Sequence, residues 1–357
     1  MFYLSLTLFL YLFHFFCRWN NNLLIKIYYL VLSLLFLFTV FRYQVGCDWY
    51  GYYKLFLRYE NSEWLPAAIR FEPFSHLIFN FTYHSGLSYP YVYIPFGLIF
   101  FTGIHILAKR QPDPLGFLLL LLPILIINIG MSAVRQAAAI GIICIALTAF
   151  IDRKPKLFLF WTVISLGFHS SAIIFLLLMP FSGGRINNFR ISISLLIFLI
   201  VPLAFYIFYS ENFIRVNEEY IQSNREAFGA IFRVGILFLT AVYFFLFIKN
   251  KWKKNFPQDY NLVLLGSVSM ILILSFVPIS SIISDRFGYY LIPIQAIIFA
   301  RSYHLPFKSN RIFHGVLPYV GLFLVLLIWI FTSDHFQKCY FPYKSWILGM
   351  PEGDILK

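Results

Sequence analysis

Six side chains stand out in a chain of 357 residues of which only 12% are charged: Arg42, Asp48, Glu72, Arg135, His169 and Arg286, the last preceded by Asp285. Their types suit the transfer of a group away from a phosphate-bearing leaving group. Guanidinium stays charged and pairs two phosphate oxygens at once, so clustered arginines fit a diphosphate better than a carboxylate. Imidazole titrates near neutrality, which suits His169 to act as a general base or a phosphate donor. Asp48 and Glu72 are the other candidates for the base. Each residue also has a plainer reading. Arg42 and Arg286 suit interfacial anchors, and Arg135 suits a structural salt bridge to Glu72. His169 suits a core histidine bonded to a carbonyl, and the two acids could simply neutralise Arg42, Arg70 or Arg135.

Other chemistries find no support. The chain has no G-x-S-x-G, Walker loop, H-E-x-x-H or D-x-D pair. His76, His84 and His105 lack a metal-binding spacing, so neither a metal nor a cofactor is expected. The four cysteines include no C-x-x-C. Cys17 and Cys144 read as core or lipid-facing fillers. Cys47 and Cys339 could pair only if both lie outside, and that disulfide is not expected.

The elements that must position these groups follow from composition. The chain is 60% hydrophobic and 21% aromatic, whereas a soluble domain is about one quarter charged. Apolar runs of about 20 residues recur along its length, so the expected fold is an all-α, polytopic integral membrane protein forming one membrane domain over residues 1–357. About ten full spans are expected, near 2–17, 23–41, 90–108, 115–130, 133–151, 191–209, 229–248, 261–281, 287–300 and 312–332. The first run has no preceding basic residue and no A-x-A site, so it reads as a span and not as a signal peptide.

Two pieces fit less simply. Residues 73–85 would reach only about 20 Å as a helix against a core of about 30 Å, and read as re-entrant or interfacial. Residues 157–181 are interrupted by Gly167 and His169. They form either a half-membrane hairpin with His169 at its apex or one kinked span. Charge selects the hairpin. With it, 16 of the 28 Lys and Arg fall on one side with only Asp113, Asp152 and Asp259, which leaves 12 basic and 12 acidic residues on the other. The net charge of +13 therefore reads as membrane topology, with positive loops inside, and not as nucleic-acid binding. Residues 42–72, Arg135, His169, Asp285, Arg286 and the tail at 342–346 all fall outside. Half-membrane elements are tolerated where they line protein or water, so an outward-facing cavity is expected. The short inner loops offer no nucleotide site, so an enzyme here would take a lipid-linked substrate near the outer leaflet.

The motifs that carry these residues occur in order: RYQVGCDWYGYY (42–53), FEPF (71–74), SAVRQAAA (132–139), FHSSA (168–172), DRFGYY (285–290) and YFPYKSW (340–346). The ordered set resembles the EpsG-like branch of the Wzy family, membrane polymerases of bacterial polysaccharide repeat units. Cys47 is a departure, standing where a small or hydroxyl residue is expected. The resemblance implies a glycosyltransferase in the bacterial inner membrane with its active face periplasmic or extracellular. A glycan on undecaprenyl diphosphate would be transferred to a new lipid-linked repeat unit, releasing undecaprenyl diphosphate. Arg42, Arg135 and Arg286 would hold the diphosphate. His169 or Asp48 would take the acceptor proton, and Glu72 would orient an arginine or the sugar. The partners implied are the lipid-linked oligosaccharide and a chain-length regulator, with no nucleic acid. A flippase for the same lipid and an O-antigen ligase are the alternatives.

Overall fold

A computed structural model describes residues 2–17, 21–60, 72–184, 186–208, 229–307 and 310–349. Arg70, named above as a possible partner of the two acids, lies outside the described residues. Among those described, the secondary structure is helical, with one isolated bridge between Arg42 and Ser345 and no strand. Five helices are long and apolar enough to cross a membrane: Leu23–Val40, Tyr89–Ala108, Val134–Ile151, Ala230–Asn255 and Arg311–Thr332. Other expected spans are shorter apolar helices, including Phe2–Cys17, Pro114–Gly130 and Tyr260–Phe276. The last has 17 residues, which reach roughly 26 Å.

One boundary is a correction. The expected span 261–281 ends at Phe276, and the next helix runs Ser281–Ser302. The Ser280 side chain accepts from the Ile283 N–H at 3.3 Å, so it caps a helix that starts six residues before the expected 287. Arg286 accordingly lies in the second turn of that helix and not at its mouth.

The segments expected to be half-membrane elements are short helices. Pro73–His84 has 12 residues and begins with proline, whose missing N–H costs nothing at that position. Pro155–Leu166 and the 3₁₀ helix Ser170–Phe181 have 12 residues each, separated by Gly167–His169. Their lengths are about 18 Å and 24 Å, each too short to cross. A Cβ at Gly183 would lie 3.8 Å from Pro155 Cγ. The chain therefore returns beside the point where the first of the two helices began, as a hairpin does.

The chain divides into two compact units, residues 1–144, 164–170 and 317–357, and residues 145–163 and 171–316. In the first, the Pro114–Gly130 segment is buried along almost its whole length and continues in π-helical form from Leu122. Tyr93–Ala108 and Val134–Ile151 touch backbone to backbone where Gly103 meets Gly141; a Cβ on either would overlap the backbone of the other helix. In the second, Ala230–Tyr243, Tyr260–Phe276 and Ser281–Ser302 pack together as a bundle.

Polar contacts between residues far apart in sequence hold each unit together. In the first unit His14 Nε2 meets Asp113 at 2.7 Å and Tyr28 meets His105 at 2.8 Å, and in the second Arg301 pairs with Asp259. The tail is stitched to the end of Asn21–Val40 and the loop that follows it. Tyr43 N donates to Lys344 O at 2.8 Å, Gly46 N to Cys339 O at 2.7 Å and Trp346 N to Phe41 O at 2.9 Å. There the structure overturns an expectation, because Cys47 and Cys339, 292 residues apart, form a disulfide. The physical reason is this backbone stitching, which sets the two cysteine Cα atoms 4.9 Å apart, within the range a disulfide spans.

Candidate functional site

The site is built where the hairpin apex meets the start of the Pro73–His84 helix. The first N–H groups of a helix lack intrahelical partners. Here Phe74 N and Ser75 N donate to Gly167 O at 2.9 and 3.3 Å, and Ser75 Oγ donates to Phe168 O at 2.8 Å. This close docking requires glycine at 167, because a Cβ there would overlap the Phe74 ring. The apex is held further by Ser165 Oγ, which donates to Ala139 O at 2.9 Å. The small residues after Arg135 permit that approach.

Docking places Glu72 between two other helix beginnings. Its Oε1 accepts from Ser170 N at 2.9 Å, at the first residue of the 3₁₀ helix. Its Oε2 accepts from Arg135 Nη1 at 2.7 Å, and Arg135 is the second residue of Val134–Ile151. One carboxylate thus joins the N-terminal ends of three helices, where partial positive charge favours an anion. Glu72 is 8% exposed. Burial raises its pKa, but the charges of His169 and Arg135 and the Ser170 N–H outweigh it and hold the carboxyl below its ordinary value.

The remaining groups surround this carboxylate. His169 is buried at the apex and acts electrostatically on Glu72. The Arg135 guanidinium lies 5.5 Å from the Tyr52 ring centre, and its Nε has no partner among the described residues. The Arg135 side chain keeps 29% of its surface exposed, so a ligand can reach it. Asp48 is exposed, its N–H donates to Ser132 Oγ at 3.2 Å, and it lies within electrostatic range of both Arg135 and Tyr52. Burial, first of all, raises the Tyr52 phenol above its ordinary value.

Of the six residues singled out, the structure brings Glu72, Arg135 and His169 together, with Asp48 beside them. Arg42 is held by the protein's own backbone. It is 1% exposed, its Nε donates to Val45 O at 3.0 Å and its Nη1 to Thr39 O at 2.6 Å, and it stacks 4.0 Å over Tyr93. It satisfies one carbonyl at the end of Asn21–Val40, Thr39 O, which a helix C-terminus leaves open, and one in the loop that follows, Val45 O. The adjoining cavity, about 10 Å³, has room for one water. Arg286 belongs to the second unit, where its neighbour Asp285 is held by both Nε and Nη2 of Arg233 at 2.7 and 2.6 Å. Ser171 Oγ donates to Tyr290 Oη at 3.2 Å in the same unit.

Sequence reasoning missed Arg233 and the place of Tyr52 beside Arg135. Tyr52 follows Asp48 by four residues and so shares its helix face, a signal hidden among the interfacial aromatics. Arg233 is an isolated charge in an apolar helix, the same feature that singles out Arg135.

The family model that matches the chain is that of the EpsG family, over residues 25–345. No curated protein and no solved structure matches it.

Proposed function

The chain belongs to the EpsG family, and from that premise we propose that it is a membrane glycosyltransferase polymerising lipid-diphosphate-linked oligosaccharide repeat units at the outer face of the bacterial cytoplasmic membrane. The observation that carries the proposal is the meeting of three separate sequence motifs, through Glu72, Arg135 and His169–Ser170, at the N-terminal ends of three helices. Such a place favours an anionic leaving group, and the Arg135 guanidinium, on a side chain that is 29% exposed, offers its charge to it. The Cys47–Cys339 disulfide supports the outer side, because disulfides persist in oxidising compartments.

In this mechanism a hydroxyl of the incoming repeat unit attacks the anomeric carbon of the donor. The bond to the diphosphate breaks, and the lipid diphosphate leaves with the electron pair. Arg135 stabilises the charge that develops there, the term that matters most for a good leaving group. His169 or Asp48 takes the acceptor proton. Glu72, with both carboxylate oxygens engaged by the protein, is a positioning residue: it orients Arg135 and fixes the apex that carries His169. Arg42 supports the fold of the outer loop. Arg286 in the second unit remains a proposed diphosphate contact, and an outward cavity admits both lipid-linked substrates.

The test replaces Arg135 by Lys and by Ala in cells lacking the native gene, with glycan length read on a gel. Single repeat units without a ladder are expected for Ala. A full ladder with Ala overturns the assignment. Precursor held at the inner leaflet in the gene deletion would instead indicate a flippase.

A further inference from the structure

The outer loop holds a second group of chemically capable side chains, which the glycosyl transfer does not use. Cys47, His335 and Cys339 each bring one ligand atom to a common point, with all three atoms within 4.8 Å of one another. His335 and Cys339 are spaced i, i+4 on the helix Asp334–Tyr340, so both project from one face. Cys47 comes from the loop before Trp49–Leu57, and its sulfur lies 3.9 Å from the His335 carbonyl oxygen. Cys47 and His335 are exposed and Cys339 is half-buried.

We propose that these three residues form a site with two exclusive states: a disulfide between Cys47 and Cys339 and, after reduction, a two-thiolate, one-imidazole site for a soft divalent cation of the zinc class. The chemistry of the donor set carries the choice of metal, since thiolate and imidazole together select zinc over calcium or magnesium. Zinc bonds of about 2.3 Å to sulfur and about 2.0 Å to nitrogen place tetrahedral ligands less than about 4 Å apart. The atoms therefore need only small side-chain rotations. Three protein ligands leave a fourth position for water.

The backbone keeps the ligands in place once the disulfide is open. Gly46 N donates to Cys339 O, Tyr43 N to Lys344 O and Trp346 N to Phe41 O. Tyr3 Oη donates to Tyr340 O at 2.9 Å, and Tyr340 Oη to Asn128 O at 3.1 Å. None of these bonds passes through sulfur. Reduction would therefore expose two thiols held side by side instead of releasing a loop.

The redox step uses an external dithiol. One of its thiolates attacks a sulfur of the Cys47–Cys339 bond, forming a mixed disulfide and releasing the other cysteine as a thiolate. The second thiol of the reductant resolves the mixed disulfide, and the reductant leaves as its own disulfide. Two electrons and two protons pass to the protein sulfurs. The cation then displaces those two protons as it binds.

The test uses the full chain in detergent, reduced with a phosphine that does not bind metal and titrated with Co²⁺ as the spectroscopic probe. Thiolate-to-cobalt charge-transfer absorption at one equivalent, displaced by Zn²⁺, is expected. The oxidised protein should show none of it. His335→Ala should leave the disulfide intact, as seen by thiol-labelling gel shift, and weaken the metal at least about tenfold, the smaller of the losses known for mere supporting residues. A reduced protein with no such absorption, or a His335→Ala variant that binds as tightly as the parent, overturns the metal site. Neither readout depends on polymerase activity, so this inference and the proposed function fail separately.

Discussion

The Glu72–Arg135 pair admits a quantitative test. Glu72→Gln retains an oxygen that can accept from Ser170 N but removes the charge facing Arg135 Nη1 at 2.7 Å. Breaking a fully buried pair costs about 3–5 kcal/mol, and an exposed pair contributes about 0–1 kcal/mol. With the Glu72 side chain 7% exposed and that of Arg135 29% exposed, the expected loss lies between, at about 1–3 kcal/mol. If the pair also sets the aim of Arg135, the same energy lost from the transition state lowers the rate roughly 5- to 200-fold. Thermal unfolding in detergent measures the stability part, and the rate of ladder formation in complemented cells measures the other. A double-mutant cycle of Glu72→Gln, Arg135→Ala and both then isolates the pair. The double variant should be little worse in activity than Arg135→Ala alone. Strictly additive losses would refute the positioning role, and so would a Glu72→Gln protein with the parent's ladder and unfolding temperature. The pH dependence has a defined sign. Because the folded carboxyl lies below its ordinary value of 4.5, its stabilisation is complete above that pH and is lost as pH falls through the folded value. Glu72→Gln should flatten the acid limb of the stability curve and leave it unchanged at neutral pH apart from a constant offset.

Two further outcomes follow from the same geometry. Gly167→Ala should destabilise the protein by about 1–3 kcal/mol through overpacking against Phe74, and Phe74→Leu in the same chain should recover part of that loss; an unfolding temperature equal to the parent's would contradict the docking described. Of His169→Gln and Asp48→Asn, the variant that removes the base should lower ladder formation by about 10²–10⁴ while leaving the unfolding temperature near that of the parent, and two fully active variants would exclude both as the base.

The sequence made some of this arrangement legible and hid the rest for physical reasons. Residues 73–85 were too short to cross and 157–181 were broken at Gly167, so a short helix and a helix pair could be expected; helices of 12 residues each form there. Glu72 and Arg135 were readable as partners because a charge at the edge of an apolar helix needs one. Arg42 looked the same in sequence. Whether a guanidinium at a helix end bonds its own carbonyls or a ligand depends on the path of the chain after it, here the turn to Val45. The Cys47–Cys339 pairing depends on a tail that returns across 292 residues, a long-range contact with no local signature. The helix start at Ser281 was missed because hydropathy marks apolar residues, whereas a single hydroxyl at Ser280 sets the boundary.

The backbone at Glu72 gives an independent argument that its position is imposed. Its φ of 64° and ψ of 56° lie in the left-handed region, which costs a residue with a Cβ roughly 1–2 kcal/mol. Glycine would adopt that conformation without strain. A glutamate there persists only if its side chain returns more than the strain, and both carboxylate oxygens are engaged at 2.9 Å or less. The strained turn and Pro73 together aim the carboxylate back toward Ser170 and Arg135, away from the helix it precedes. A residue serving only to begin that helix would need neither the strain nor the charge. The cost is therefore better explained by what the carboxylate holds: the guanidinium of Arg135 and the apex that carries His169.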